Sequence, residues 1–166
     1  MKKLVLLAAF VFNAAFVFAQ DIKGNYAIKN VQTGMLLRIK DANAKNGTPI
    51  VAYYPENWKC MTWNFKKTDA NTYQLQNLFS NKTLQPISSA AANVAFEEQP
   101  LVGGAQQQQY EFIAVKKDTY MIKLKGTELY VTPADAKGTV NSAIILAAKK
   151  STPDQLWSIY EQAPTM

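Results

Sequence analysis

The chain has 166 residues, 18 Lys plus Arg against 12 Asp plus Glu, a formal charge of +6, no His and one Cys. Without His there is no His-based general base, Ser-His-Asp triad or His-ligated zinc site, and a single Cys rules out an internal disulfide or a Cys–His pair. The charge is spread over Lys, with Arg38 the sole Arg, whereas nucleic-acid binders concentrate Arg and Lys on one face, so nucleic acid is not an expected partner.

Lys2 and Lys3 precede a largely apolar run, Leu4 to Phe18, that closes on Val17-Phe18-Ala19. A positive start, a short apolar stretch and a small terminal residue form the layout of a secretory signal, here 1–19, cleaved after Ala19. The run is short for a bilayer span, which needs roughly 20 residues, and residue 20 is Gln rather than the Cys of a lipid anchor. The expectation is a secreted protein, extracellular or periplasmic, with no membrane contact once the signal is gone. Loss of Lys2 and Lys3 lowers the formal charge from +6 to +4. The remaining 20–166 is the length of one domain, and a chain of that size buries enough surface to fold without staples. Cys60 lies in the apolar approach to Trp63 and is expected to be buried.

From residue 24 onward the chain reads as strands and turns. Asn25 to Asn30 alternates outward and inward residues, Gln32-Thr33-Gly34 is a turn, and Met35 to Ile39 is a second strand. Asp41 to Gly47 is a polar loop, Pro49 to Tyr54 a third strand, and Met61 to Lys66 a fourth. The same order restarts at Thr72, with Asn81-Lys82 in its first turn, and at Thr119, with Lys125-Gly126 there. Apolar columns recur at intervals of 47: Tyr26, Tyr73, Tyr120; Ile28, Leu75, Ile122; Leu37, Leu84, Val131; Trp63, Tyr110, Trp157; and Phe65, Phe112, Ile159. In the third strand Ile50, Phe96 and Ile144 are 46 and 48 apart, which points to compensating loop changes in the second unit. The pairs Lys66-Lys67, Lys116-Lys117 and Lys149-Lys150 read as hairpin turns and edge protection, and Gln106 to Gln109 as a polar lead-in to a strand.

One supersecondary unit is thus built three times, roughly over 24–69, 70–117 and 118–162, each unit too small to bury its own apolar face. Four strands per unit give about twelve strands in an all-β fold. Threefold repetition suits a closed barrel, because closure removes exposed edges.

These stretches resemble the ricin-type β-trefoil, whose units carry G-x-x-L-D-V, an N-G loop, an apolar third strand and Q-x-W. The matching residues are Gly34 to Ile39, Asn46 to Ile50 and Met61-Thr62-Trp63 in the first unit. They are Asn81 to Pro86 and Gln108-Gln109-Tyr110 in the second, and Glu128 to Pro133 and Gln155-Leu156-Trp157 in the third. The resemblance covers 20–166 and implies a β-trefoil that binds carbohydrate as a ricin B-like lectin. Family sugar sites combine an Asp after the motif Leu, an aromatic ending the third strand, and an amide pair around Q-x-W. The carboxylate takes two hydroxyls, the ring stacks on the apolar sugar face, and the amides complete the hydrogen bonds. Here the Asp place holds Arg38, Gln85 and Thr132. The aromatic place holds Tyr53, then Gln99 or Pro100, then Ala147. The amide place holds Cys60 and Met61, Gln107 and Gln108, Asp154 and Gln155. No unit carries all four parts, so the expected sugar binding is weak or altered in specificity.

The repeat also filters candidates. Residues shared by all units belong to packing, whereas Tyr53, Tyr54 and Trp58 are large aromatics of the first unit alone and lie beside Asn57 and Glu56. With Arg38, a charged donor suited to an acidic sugar or carboxylate partner, the ligand-binding candidates are Arg38, Tyr53, Tyr54, Asn57 and Trp58. Weaker candidates are Thr132, Asp154 and Gln155; Asp154, like Asp135, reads as a solvated loop residue. Phe79 and Tyr130 are also unmatched, but each stands alone in the sequence. No catalytic residue, metal ligand or cofactor is expected: Glu97 and Glu98 are neighbours that an extended segment points to opposite faces, and there is no Gly-rich phosphate loop. The expected partner of this non-enzymatic, monomeric module is a glycan or glycoconjugate. The alternative is a protein partner such as a protease, met by the loop Asn93 to Ala105 with its Pro100 and Gly103-Gly104.

Overall fold

The computed structural model describes residues 21–165, so the expected signal, 1–19, lies outside the described residues. Among them are twelve strands: β1 (Gly24–Asn30), β2 (Leu36–Ile39), β3 (Ile50–Tyr53), β4 (Thr62–Asp69), β5 (Thr72–Asn77), β6 (Thr83–Pro86), β7 (Phe96–Gln99), β8 (Tyr110–Lys116), β9 (Thr119–Leu124), β10 (Leu129–Pro133), β11 (Ile144–Ala148) and β12 (Leu156–Glu161). Six of them close a barrel through antiparallel pairs β1–β4, β4–β5, β5–β8, β8–β9, β9–β12 and β12–β1. The other six form the hairpins β2–β3, β6–β7 and β10–β11. Bridges Pro49–Glu97, Val51–Ala143 and Ala95–Ile145 tie the three hairpins to one another. This is a β-trefoil.

The columns fill its interior. Ile28, Leu75, Ile122, Leu37, Leu84, Val131, Trp63, Tyr110 and Trp157 are all buried. One hydrogen bond is repeated three times across them: Trp63 Nε1 donates to the Leu37 carbonyl (3.2 Å), Tyr110 Oη to Leu84 (2.8 Å) and Trp157 Nε1 to Val131 (2.9 Å). A buried indole or phenol needs such a partner, and tyrosine replaces tryptophan here by keeping the donor. Around the axis Phe65, Tyr73 and Phe112 meet edge to face at centroid distances of 5.0 to 5.6 Å, flanked by Tyr26 and Tyr120.

Neighbouring units are sewn together by asparagines. Asn77 Nδ2 donates to the carbonyls of Cys60 (3.2 Å) and Thr62 (3.4 Å), while its Oδ1 accepts from the Phe79 and Ser80 amides. Asn30 does the same to Asp154 and Leu156, and to Gln32 and Thr33. The first turns of the first and second units are thereby clamped against the starts of β12 and β4; the third unit has Leu124 at that place.

Two local expectations are corrected. Strand β7 runs through the segment read as one long loop, Asn93 to Ala105, and buries Phe96 and Glu98. The loop that remains, 100–105, is pinned: Gln74 Nε2 donates to the Val102 carbonyl, Gln109 Nε2 to Gly104, and Gln108 Oε1 accepts from the Val102 amide. The polar run Gln106 to Gln109 leads into β8 as read, with Gln108 and Gln109 buried as ties to this loop. Lys66 and Lys67 lie within β4 and not in a turn, because β4 extends to Asp69 and pairs along its length with β5.

Candidate ligand-binding site

The first hairpin carries the cleft in which the candidates converge. Arg38 stands on β2, Tyr53 at the end of β3, and Trp58, Lys59 and Cys60 on the connection to β4. Phe79 arrives from the first turn of the second unit, held there by Asn77. Arg38, Ala42, Trp58, Lys59, Cys60 and Phe79 line a cleft of about 390 Å³, a volume within the range of small-molecule sites.

At its base the Arg38 guanidinium carbon stacks 4.0 Å from the Tyr53 ring centre and 5.8 Å from Trp58. Such a cation–π contact contributes about 0.5–2 kcal/mol. Tyr53 also contacts Tyr54 (5.9 Å between centroids) and Trp58 (6.2 Å). Only 9% of the Arg38 side chain is exposed, and its closest carboxylate, on exposed Asp41, is 4.0 Å away. Arg38 Nε is buried without a hydrogen-bond partner among the described residues. Cys60 is buried, as expected; burial pushes its thiol above the usual value, with Arg38 pulling the other way.

Of the first-unit candidates, Arg38, Tyr53 and Trp58 thus come together, and Tyr54 sits at their edge, largely exposed. Asn57 does not join them. It lines a separate groove with Pro55, Glu56, Tyr160, Glu161 and Gln162, because Gln162 Nε2 donates to the Glu56 carbonyl and draws that segment toward the end of β12. Phe79 does join them, although its sequence position gives no sign of it; the β4–β5 pairing and the Asn77 bonds bring this turn of the second unit against the first.

Thr132, Asp154 and Gln155 also meet, in the third unit. Gln155 Nε2 donates to Thr132 Oγ1 (3.2 Å) and the Ala148 carbonyl (2.8 Å), and its Oε1 accepts from the Lys150 amide (2.6 Å). Asp154 is buried, contrary to the solvated reading, because the 3-10 turn Pro153–Gln155 tucks it beneath the loop. Its Oδ2 is 3.7 Å from Lys150 Nζ, and its Oδ1 has no partner. Thr132, Ala147, Lys149, Lys150 and Asp154 border a cleft of about 340 Å³ with no aromatic wall. The amide of Gln155 is spent on its own loop, as is that of Gln108 in the second unit, which donates to Gln85 Oε1 (2.9 Å) and the Pro100 carbonyl (2.9 Å).

Known proteins share this architecture. The designed threefold-symmetric protein ThreeFoil superimposes with a TM-score of 0.79 at 16% identity, over 84% of this chain and 99% of that one. The Rhizoctonia solani agglutinin gives 0.77 at 20% identity, over 87% and 99%. The Macrolepiota procera ricin B-like lectin, solved in complex with lactose, gives 0.71 at 16% identity, over 87% and 100%. At these identities the likeness is one of fold. No curated protein matches the sequence. The family model described as "Ricin-type beta-trefoil lectin domain-like" matches residues 12–97 and 59–136. With that match spanning most of its length and three hairpins on a six-stranded barrel, the chain belongs to the ricin-type β-trefoil lectin-like family.

Proposed function

We propose that the chain is a secreted, non-catalytic carbohydrate-binding module, and that the cleft between Arg38, Trp58 and Phe79 is its sugar site. The observation that carries this reading is the convergence, at one of three equivalent places, of aromatic side chains that the repeat does not share, Tyr53 and Trp58 from the first unit and Phe79 from the second. Trp58 is half-buried and Phe79 exposed, whereas Trp63, Tyr110 and Trp157 are enclosed. Apolar ring faces beside charged donors, here Arg38 and Lys59, suit a pyranose. Secretion rests on residues 1–19, and the absence of catalysis on a sequence without His. Glu97 and Glu98 support the latter, since one is partly exposed and the other enclosed on the opposite face of β7. A protease partner has less support, because Phe96–Gln99 of the segment proposed to meet it form strand β7, and the loop that remains, 100–105, is tied down by Gln74, Gln108 and Gln109.

A glycan array probed with the purified protein tests this. Binding is expected, and Trp58→Ala should abolish it at a stability cost of about 1 kcal/mol or less. Silence across the array, or binding untouched by Trp58→Ala, rejects the assignment of the site. Inhibition of a protease panel by an array-silent protein would favour the alternative.

A further inference from the structure

Resting on that carbohydrate reading, we infer that the first-unit cleft selects a sugar bearing a carboxylate, a uronic or sialic acid, and that Arg38 is the specificity-determining residue. The argument begins with the sister units. The residue in the place of Arg38 is tied down by an amide 23 residues later: Gln108 bonds Gln85, and Gln155 bonds Thr132. The corresponding residue in the first unit is Met61, apolar and fully enclosed. Its thioether is at most a weak acceptor, so Arg38 is the one member of the trio left without its amide.

The guanidinium is consequently a cation almost withdrawn from water and not neutralised. Its Nε has no partner, and the Asp41 carboxylate is only at the 4.0 Å limit of an ion pair and faces solvent. Withdrawing a charge in this way is costly unless an opposite charge completes it. The protein does not supply that charge, and the cleft opens where a ligand can. Tyr53 and Trp58 stack against the guanidinium and fix its plane. A planar fork held in one orientation matches a carboxylate through two parallel N–H···O bonds, whereas a neutral hydroxyl offers it only single, weaker bonds. Lys59 on the rim adds a second positive charge. The Trp58 and Phe79 faces call for a ligand with an apolar C–H surface beside its acid group, as in a sugar ring. A peptide carboxylate on a flexible stem lacks that surface.

The test compares galacturonate, glucuronate and N-acetylneuraminate, as reducing-end oligosaccharides, with their methyl esters by titration calorimetry on the purified protein. Esterification removes the charge and keeps the ring. The acids are expected to bind about ten-fold tighter or more than their esters, as charge-assisted hydrogen bonds predict. Arg38→Gln should erase the difference while near-ultraviolet circular dichroism stays unchanged. Acids and esters binding alike, or a preference that survives Arg38→Gln, overturns the inference and leaves the carbohydrate reading standing. Failure of every sugar, acidic and neutral, ends both. A poly-glutamate probe that outcompetes the acidic sugars also overturns it. Should Arg38→Gln not fold, the comparison of acid with ester on the unaltered protein decides.

Discussion

The Arg38 guanidinium covers one face of the Tyr53 ring at 4.0 Å. That face is closed to a sugar, so Tyr53 serves the cleft by orienting Arg38, and Trp58 and Phe79 provide the free ring surface. Tyr53→Leu is therefore expected to lower the ratio of acid to ester affinity by about three- to ten-fold, the range of a modest cation–π contact, with little change for the ester. Calorimetry on both ligands reads this out. Equal losses for acid and ester would show that Tyr53 touches the sugar directly.

Two tryptophans five residues apart should behave in opposite ways. Trp63 is enclosed and donates to Leu37, so Trp63→Ala should cost about 3–5 kcal/mol in urea unfolding. Trp58 is only half-buried, and Trp58→Ala should cost about 1 kcal/mol or less while removing binding. A large stability loss from Trp58→Ala would mean that it is part of the core.

Gln108 holds the 100–105 loop by donating to Pro100 and accepting from the Val102 amide. Gln108→Leu strands those groups and should cost about 1–3 kcal/mol. Hydrogen exchange at the Val102 amide should accelerate before the barrel strands do. An unchanged Val102 rate would show that Gln74 and Gln109 suffice to secure the loop.

Glu98 is fully enclosed, neither carboxylate oxygen has a hydrogen-bond partner, and Lys82 Nζ is 3.8 Å away. Burial pushes its carboxyl above the ordinary 4.5, although Ser80 and Lys82 pull down. A raised value means that the fold prefers the protonated form. The contribution of Glu98 is complete below about 4.5 and is lost as pH climbs through the raised value. Glu98→Gln should accordingly stabilise the protein at pH 7, by about 1 kcal/mol on the scale of one unsatisfied buried group, and the gain should fade toward pH 4. Denaturant midpoints at the two pH values measure it; a loss at pH 7 would mean that the Lys82 pair dominates.

The architecture was readable from the sequence because the 47-residue spacing places like side chains in like environments, and burial of those columns is what makes the trefoil. The site was readable only where it departs from that symmetry within one stretch of chain, as at Tyr53 and Trp58. Phe79 was missed because its contact with the cleft crosses a unit boundary and depends on the bonds from Asn77. Asn57 was misplaced because a tail residue, Gln162, draws its segment aside. Asp154 and Glu98 share a different cause. Charged residues normally signal solvent, and nothing in the local pattern shows that a 3-10 turn or a hairpin edge has enclosed them.

The pairing of β12 with β1, extended by the bond from the Gln162 amide to the Asn25 carbonyl, sets residues 25 and 162 side by side. A short peptide bridging them would cost little, and the chain could then be opened at the β4–β5 turn, near Ala70, with every barrel seam preserved. Such a circular permutant would show whether the order in which the three lobes are synthesised matters to assembly, or whether any lobe can lead.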